Sequence, residues 1–312
     1  MLPGAVVPIA ETTRSGVVES LHFGAVVALD ADGMTAWSAG DPHIDVYPRS
    51  ALKPLQAQAM VDAGFSADAD ELAVAAASHN GEPVHLDVVR RILANAGLDE
   101  GALGNTAALP LSPPVAADVL RAGGRPSPLL QNCSGKHAAM LSTCVANGWE
   151  IDSYLEYDHP VQKLIDSYIA AAAGGISHTG VDGCGAPTAM VTLVGLAFAV
   201  RTLAIRRTEV YEAMSAHPHL VAGTGREDTA LMRAVPGLLA KGGAEGVHVV
   251  AHPDGRAVAV KVADGSERAR VPVMLAVMRL LGFDVDGLPV PSILGHGRPV
   301  GEVRSLVGTT TP

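Results

Sequence analysis

Two serines and two lysines of this chain are spaced so that they could share a proton. Ser50 precedes Lys53 by three positions in PRSALKPLQ, and residues three apart lie on one face at the start of a helix. A serine hydroxyl is a weak nucleophile until a base takes its proton, and a neutral lysine amine can be that base. Keeping a lysine neutral near pH 7 costs about 4.6 kcal/mol relative to an ordinary lysine, so it requires burial or a second cation close by. The same residues also read as an N-cap serine with a surface lysine one turn later. Ser78 and Lys241 form the second candidate pair. Ser78 ends a small apolar run in AAASHNGE, and Lys241 begins the KGG that precedes another apolar stretch. Read separately, these are a loop with a capping serine and a helix C-cap.

Their order along the chain gives them more meaning. Ser-x-x-Lys, then Ser-x-Asn, then a lysine before a strand is the order of the acyl-transfer set in serine β-lactamases and penicillin-binding proteins. Two details differ. The interval from Ser50 to Ser78 is short, and Gly242 stands where that set has threonine. A third cluster involves cysteines. Asn132-Cys133-Ser134-Gly135-Lys136-His137 and Val181-Asp182-Gly183-Cys184-Gly185-Ala186-Pro187 each place a cysteine in a glycine-containing turn beside polar groups. Two such cysteines could hold a soft divalent metal, or they could be buried small hydrophobes. Cys144 lies in an apolar stretch and reads as core. His79 and His137 stand out through their neighbours alone.

These residues need elements to position them. Phe23 to Leu29 and Met34 to Ala39 flank Asp32-Gly33, and Gly246 to Ala251 and Ala257 to Val262 flank Pro253-Asp254-Gly255. Both patterns are hairpins. Between them helical patterns run over Ala51–Ala63, His85–Ala96, Pro114–Ala122, Lys136–Asn147, His159–Ala173, Pro187–Arg206 and Thr208–Ala216, and Ala269–Leu281 follows the second hairpin. This predicts an α/β (α+β) fold in which strands from both chain ends share one antiparallel sheet covered by the last helix. An all-helical region would be inserted between them, with the cleft between sheet and helices as the site. The chain reads as one domain spanning residues 1–312. Residues 1–48 and 241–312 are expected to build the sheet region, and residues 49–240 the helical region.

Composition narrows the function. The 22 Lys+Arg against 32 Asp+Glu leave a net charge of −10. An acidic chain without a basic block lacks the footprint of a nucleic-acid binder and is repelled by anionic membrane surfaces. The longest apolar run, Ala189 to Val200, falls short of the ~20 residues a spanning helix needs. No basic region precedes an apolar one at the start, so no signal peptide is expected. Three cysteines argue against a disulfide framework, and a reducing cytoplasm is the expected compartment.

Assembled, the stretches PRSALKPLQ, AAASHNGEPVH, NCSGKHAAML, VDGCGAPT, HPHLVAGTGREDTALM and AKGGAEGV, from residue 48 to residue 247, resemble the rhizobial-type, thermolabile-type (class 3) L-asparaginases. That family looks like serine β-lactamases and glutaminases in fold. The resemblance implies hydrolysis of L-asparagine to L-aspartate and ammonia. Its two Ser-Lys tandems fall on Ser50 with Lys53 and on Ser78 with Lys241, and its substrate-side positions on Arg49, His137 and Asp182. It also implies one zinc per chain on Cys133, Lys136 and Cys184, supporting the site and not activating the water. Arg49 would take the substrate's α-carboxylate, Asp182 its α-ammonium, and amides at the start of the Ser50 helix the oxyanion. The expected partner is the small-molecule substrate, with neither nucleic acid nor membrane, and a homodimer is compatible with the apolar composition. A β-lactamase-like or peptidase-like acyl hydrolase, a glutaminase, and a non-catalytic zinc- or amide-binding protein are the alternatives.

Overall fold

The computed structural model describes residues 4–308. Strands β1 (Val7–Arg14) and β2 (Val17–Leu29) form an opening hairpin, β3 (Thr35–Ala39) folds back on β2, and β4 (Asp45–Val46) follows. Helices α1 (Lys53–Asp62), α2 (Ala69–Ala75), α3 (Pro83–Asn95), α4 (Pro113–Arg121), α5 (Ser134–Asn147) and α6 (Pro160–Ala173) come next. Strands β5 (His178–Val181) and β6 (Pro187–Thr192) interrupt them. Then come α7 (Leu193–Arg206), α8 (Glu209–Ala216), α9 (Pro218–Val221) and α10 (Glu227–Ala234). The chain returns to sheet with β7 (Leu239–Gly243), β8 (Val247–Ala251) and β9 (Ala257–Val262), and ends with α11 (Glu267–Leu280), β10 (Ser292–Gly295) and β11 (Arg298–Ser305).

The chain ends do share one antiparallel sheet. It has eight strands in the order β10-β11-β1-β2-β9-β8-β7, with β3 also on β2. The ends meet along two seams, β1 against β11 and, at the centre of the sheet, β2 against β9, in register from Gly24 opposite Val262 to Leu29 opposite Ala257. Every residue of β7, β8 and β9 is buried, which requires cover on both faces of the sheet. Helix α7 packs on β2, β8 and β9, and α11 on β1, β9 and β11. Small side chains dominate this contact, as the Ala- and Val-rich composition demands. Among the described residues no helix is long and apolar enough to cross a membrane.

Several sequence expectations need correction. The region between the sheet halves is not all helical, because β4, β6 and β5 form a second, three-stranded antiparallel sheet. The helix expected over Pro187–Arg206 is therefore two elements. Its apolar pattern is continuous, but the Thr192 side chain accepts from Gly195 N–H and starts a helix there, leaving 187–192 to pair as a strand. Helix α2 begins with a full capping box of Asp68 and Glu71, a helix-start signal that the sequence does carry. Strands β1, β10 and β11 and helix α10 have no counterpart among the expected elements. The glycines of KGG lie within β7 and do not cap a helix.

Candidate active site

Ser50 lies in a single 3-10 turn, Arg49–Leu52, that leads into α1. It does not cap a helix: Pro48 occupies the cap position and no side chain accepts there. Arg49 adopts a left-handed φ of 55°, which costs a residue with a side chain roughly 1–2 kcal/mol. Two contacts hold the turn in this shape. The Arg49 guanidinium donates from Nε and Nη2 to one oxygen of Asp182, at 2.9 and 2.6 Å. Strand β7 closes in from the other side. A Cβ on Gly243 would stand 2.1 Å from the Pro48 carbonyl oxygen and 3.2 Å from Ala51 N, so only glycine allows this approach. Ala51 N–H is already given to Pro48 O at 3.1 Å, which removes it from the expected oxyanion donors.

Both lysines converge on Ser78. Lys53, buried beneath the turn, donates from Nζ to Ala77 O and, at 3.1 Å, to Ser78 Oγ. Lys241 reaches the same hydroxyl from β7 at 3.0 Å and donates to Gly242 O at 2.8 Å. The half-buried Ser50 hydroxyl makes no hydrogen bond among the described residues. Lys53 is thus engaged by the second serine and not by the one in its own tandem. A hydroxyl has a single proton to donate, and an ammonium cannot accept it, so the Ser78 proton can point only to a neutral amine. Burial pushes Lys241 down to about 8; Asp228 opposes the shift, and Lys53, Arg226 and Arg270 add to it.

Asp228 is wholly buried behind Lys241. Its two oxygens each lie 3.0 Å from Gly242 N, His248 Nε2 stands 2.8 Å from Oδ1, and Lys241 Nζ lies 3.6 Å from Oδ2. Burial alone would raise its proton affinity, but Lys241 and His248 hold the carboxyl well below its usual range. The Ser78 segment is suspended by backbone bonds, from Ser78 N to Val221 O, His79 N to Asn132 O and Asn80 N to Ala222 O. Arg226 donates to Ser78 O at 3.1 Å and to Asn80 Oδ1 at 3.2 Å. His79 accepts from Gly81 N–H on Nδ1 and meets Ser134 Oγ through Nε2 at 2.9 Å. Burial, then His85, Lys53 and Arg226, hold it well below its ordinary pKa, so it is a neutral tie between the Ser78 segment and α5.

The cysteine cluster abuts this site. Gly135 brings the start of α5 against α2, where a Cβ would meet Val74 O at 2.3 Å. Lys136 Nζ points to Cys184 Sγ at 3.3 Å, and Lys136, Cys133 and Cys184 are all buried. The Asp182–Cys184 turn faces two ways, with Asp182 on Arg49 and Cys184 on Lys136. The Cys184 thiol, with Lys53 and Lys136, holds Cys133 well below the usual thiol range, and Cys133 and burial leave Cys184 above it. Among the described residues no three His, Cys, Asp or Glu side chains gather as a metal site. Cys133 and Cys184 are two thiols, soft donors of the kind zinc takes, with the Lys136 amine donating to one of them. Cys144 is buried in α5 and pushed up to about 11 by burial, the behaviour of a core residue.

His137, expected at the substrate, is fully buried. Its Nδ1 meets the Tyr154 hydroxyl at 2.8 Å, and its Nε2 has no partner. Burial, Lys136 and Lys53 keep it neutral. Arg49 also lines a surface cavity of about 170 Å³ with Tyr47, Gly180, Val181 and Thr188. Sequence reasoning missed Tyr154, Arg226, Asp228, His248 and Arg270. For two of them a signal existed. His248 is a lone histidine inside the apolar run VHVVA, and Asp228 lies in the GREDTALM stretch.

A family model described as L-asparaginase II matches residues 10–305. No curated protein matches the chain. Similar solved structures include a β-lactamase from Mycobacterium bovis, at 16% identity over 83% of this chain and 93% of that one, with a TM-score of 0.38. They also include simvastatin synthase from Aspergillus terreus, at 10% identity over 83% of this chain and 90% of that one, with a TM-score of 0.37.

Proposed function

The chain belongs to the L-asparaginase II family, and from that membership we propose that it hydrolyses L-asparagine to L-aspartate and ammonia through a serine acyl-enzyme. One observation carries the reading: two buried lysines meet on the Ser78 hydroxyl, and one of them, Lys53, lies just past the strained turn that holds Ser50. Ser50 Oγ attacks the side-chain amide carbon, and its proton passes into the group formed by Lys53, Ser78 and Lys241. The C–N bond breaks as a proton returns to nitrogen, ammonia leaves, and water cleaves the ester. Above about pH 8 Lys241 is neutral, so the base form is present on the alkaline side and lost as pH falls.

Substrate recognition follows from the Arg49–Asp182 pair. An α-amino acid carries the same two charges, so its α-carboxylate can replace Asp182 on Arg49 while its α-ammonium replaces Arg49 on Asp182. This exchange leaves no added net charge at a half-buried site. Simple amides lack both groups and should be poor substrates. Glutamine carries one more methylene, worth about 1–3 kcal/mol of discrimination. A coupled ammonia assay across asparagine, glutamine, a simple primary amide and a chromogenic β-lactam tests the reading. Asparagine should release ammonia fastest, and the simple amide should be near background. Turnover of the β-lactam without turnover of asparagine would replace the reading with a β-lactamase-like one.

Zinc belongs to the same proposal. Cys133, Lys136 and Cys184 would hold it, and it would supply a fixed positive centre that keeps this cluster together beside Asp182. Lys136 must then lose its proton, which the metal's charge favours. Elemental analysis of protein purified without added zinc should give about one metal per chain, and Cys133→Ser should lower that stoichiometry. Metal-free protein with unchanged activity after chelation would reject the site.

A further inference from the structure

We propose that Asp228 is a positioning residue for this reaction, holding the Lys241 amine on Ser78 and providing the buried counter-charge against which that amine gains and loses its proton. The inference rests on the reading of Lys241 as a proton carrier. Geometry supports it first. Asp228 grips the backbone of the residue after Lys241, since Gly242 N–H lies 3.0 Å from each carboxylate oxygen. The strand position of Lys241 is thereby fixed from α10. At 3.6 Å from Lys241 Nζ, the carboxylate is close enough for a strong field at a buried site. It is too far to take the hydrogen bonds that Nζ makes to Ser78 Oγ and Gly242 O.

His248 fixes Asp228 in turn. A carboxylate only accepts hydrogen bonds, so His248 donates from Nε2, and its Nδ1 is left without a partner in the interior. A histidine with one side idle, placed in a strand of otherwise apolar buried residues, is there for the carboxylate. Lys241 is faced by Asp228 on α10, Lys53 on α1, Arg226 just before α10, and Arg270 on α11; His248 on β8 faces it through Asp228. Glu227 is committed to Arg270. Asp228 is thus the carboxylate that favours the protonated form of Lys241 against three cations and the cost of burial. An amine poised near the working pH can both take the serine proton and return it to ammonia. Without Asp228 the amine would hold protons too weakly to return them.

The test compares pH profiles of asparagine hydrolysis for wild type, Asp228→Asn, His248→Gln and Lys241→Met. Asparagine at 228 keeps the shape and one acceptor for Gly242 while removing the charge and the second acceptor. The wild-type acid limb is expected near 8. In Asp228→Asn it should move about 1–3 units lower. Its plateau kcat should fall about tenfold from the looser amine, and KM should be unchanged. The ratio of variant to wild-type activity should therefore rise as pH falls, which a purely structural defect would not produce. His248→Gln should lower kcat without moving the limb. An active Asp228→Asn with an unmoved limb overturns the inference. If that variant does not fold, unchanged kcat in His248→Gln overturns it. Near-wild-type activity in Lys241→Met would instead remove the reading on which it rests.

Discussion

Replacing Ser50 by alanine should lower ammonia release from asparagine by about 10⁴-fold and leave the folded protein intact. The second half of that expectation comes from the turn itself. The Ser50 hydroxyl caps no helix and has no hydrogen bond to lose, so its removal should cost no more than about 0.5 kcal/mol, as for an ordinary surface position. The first half comes from position. Ser50 is the more open of the two serines, next to the Arg49–Asp182 pair, whereas Ser78 is buried and hydrogen-bonded to both lysines. Ser78→Ala should also impair turnover, because it cuts the link between Lys53 and Lys241. The two variants separate by mass spectrometry of protein quenched during turnover. Ser78→Ala should still carry acyl adduct on Ser50, and Ser50→Ala should carry none. Adduct in Ser50→Ala, with none in Ser78→Ala, would move the nucleophile to Ser78.

Gly243→Ala is expected to lose activity by about 10²-fold or more, although residue 243 has no functional group. Its new methyl would stand 2.1 Å from Pro48 O, and backbone cannot swing aside as a flexible side chain can. Relief to an ordinary contact needs the Ser50 turn and β7 to separate by more than an ångström. Displacements of about 1 Å in a catalytic array cost about 10²-fold, and overpacking of this kind destabilises by about 1–3 kcal/mol. Gly242→Ala is the control. Its added Cβ meets the end of the Arg270 side chain at 3.3 Å, which can yield by a few tenths of an ångström. Kinetics and thermal unfolding of the pair check this. Equal behaviour of the two variants would mean that the close approach of β7 does not set the geometry of Ser50.

Much of this was legible in the residues, and the exceptions share a cause. The hairpin around Asp32-Gly33 and the shared sheet were readable because turn chemistry and alternation are local. The Ser50, Lys53, Ser78 and Lys241 set was readable as an ordered series of motifs. The partner of Lys53 was not. Spacing puts Ser50 one turn away, whereas the three-dimensional path puts Ser78 at 3.1 Å. Asp228 and His248 each left a mark in the sequence, but their pairing did not, for the same reason: they meet only because α10 crosses behind β7 and β8. The helix drawn through Pro187–Arg206 failed because apolar continuity does not distinguish a buried strand from the helix that follows it.

The seam of β2 against β9 also has a consequence in time. Ser50, Lys53 and Ser78 are synthesised in the first third of the chain, but Lys241 joins them only on a sheet whose central pairing links residues 24–29 to 257–262. Such pairing closes a very long loop, and native structures dominated by distant contacts form slowly. At about 5–20 residues per second, the ribosome finishes the serines well before it delivers the second lysine. Catalytic competence is therefore among the last properties the chain acquires: while only its first half has emerged, it holds the hydroxyls and one amine but has no assembled acyl-transfer centre.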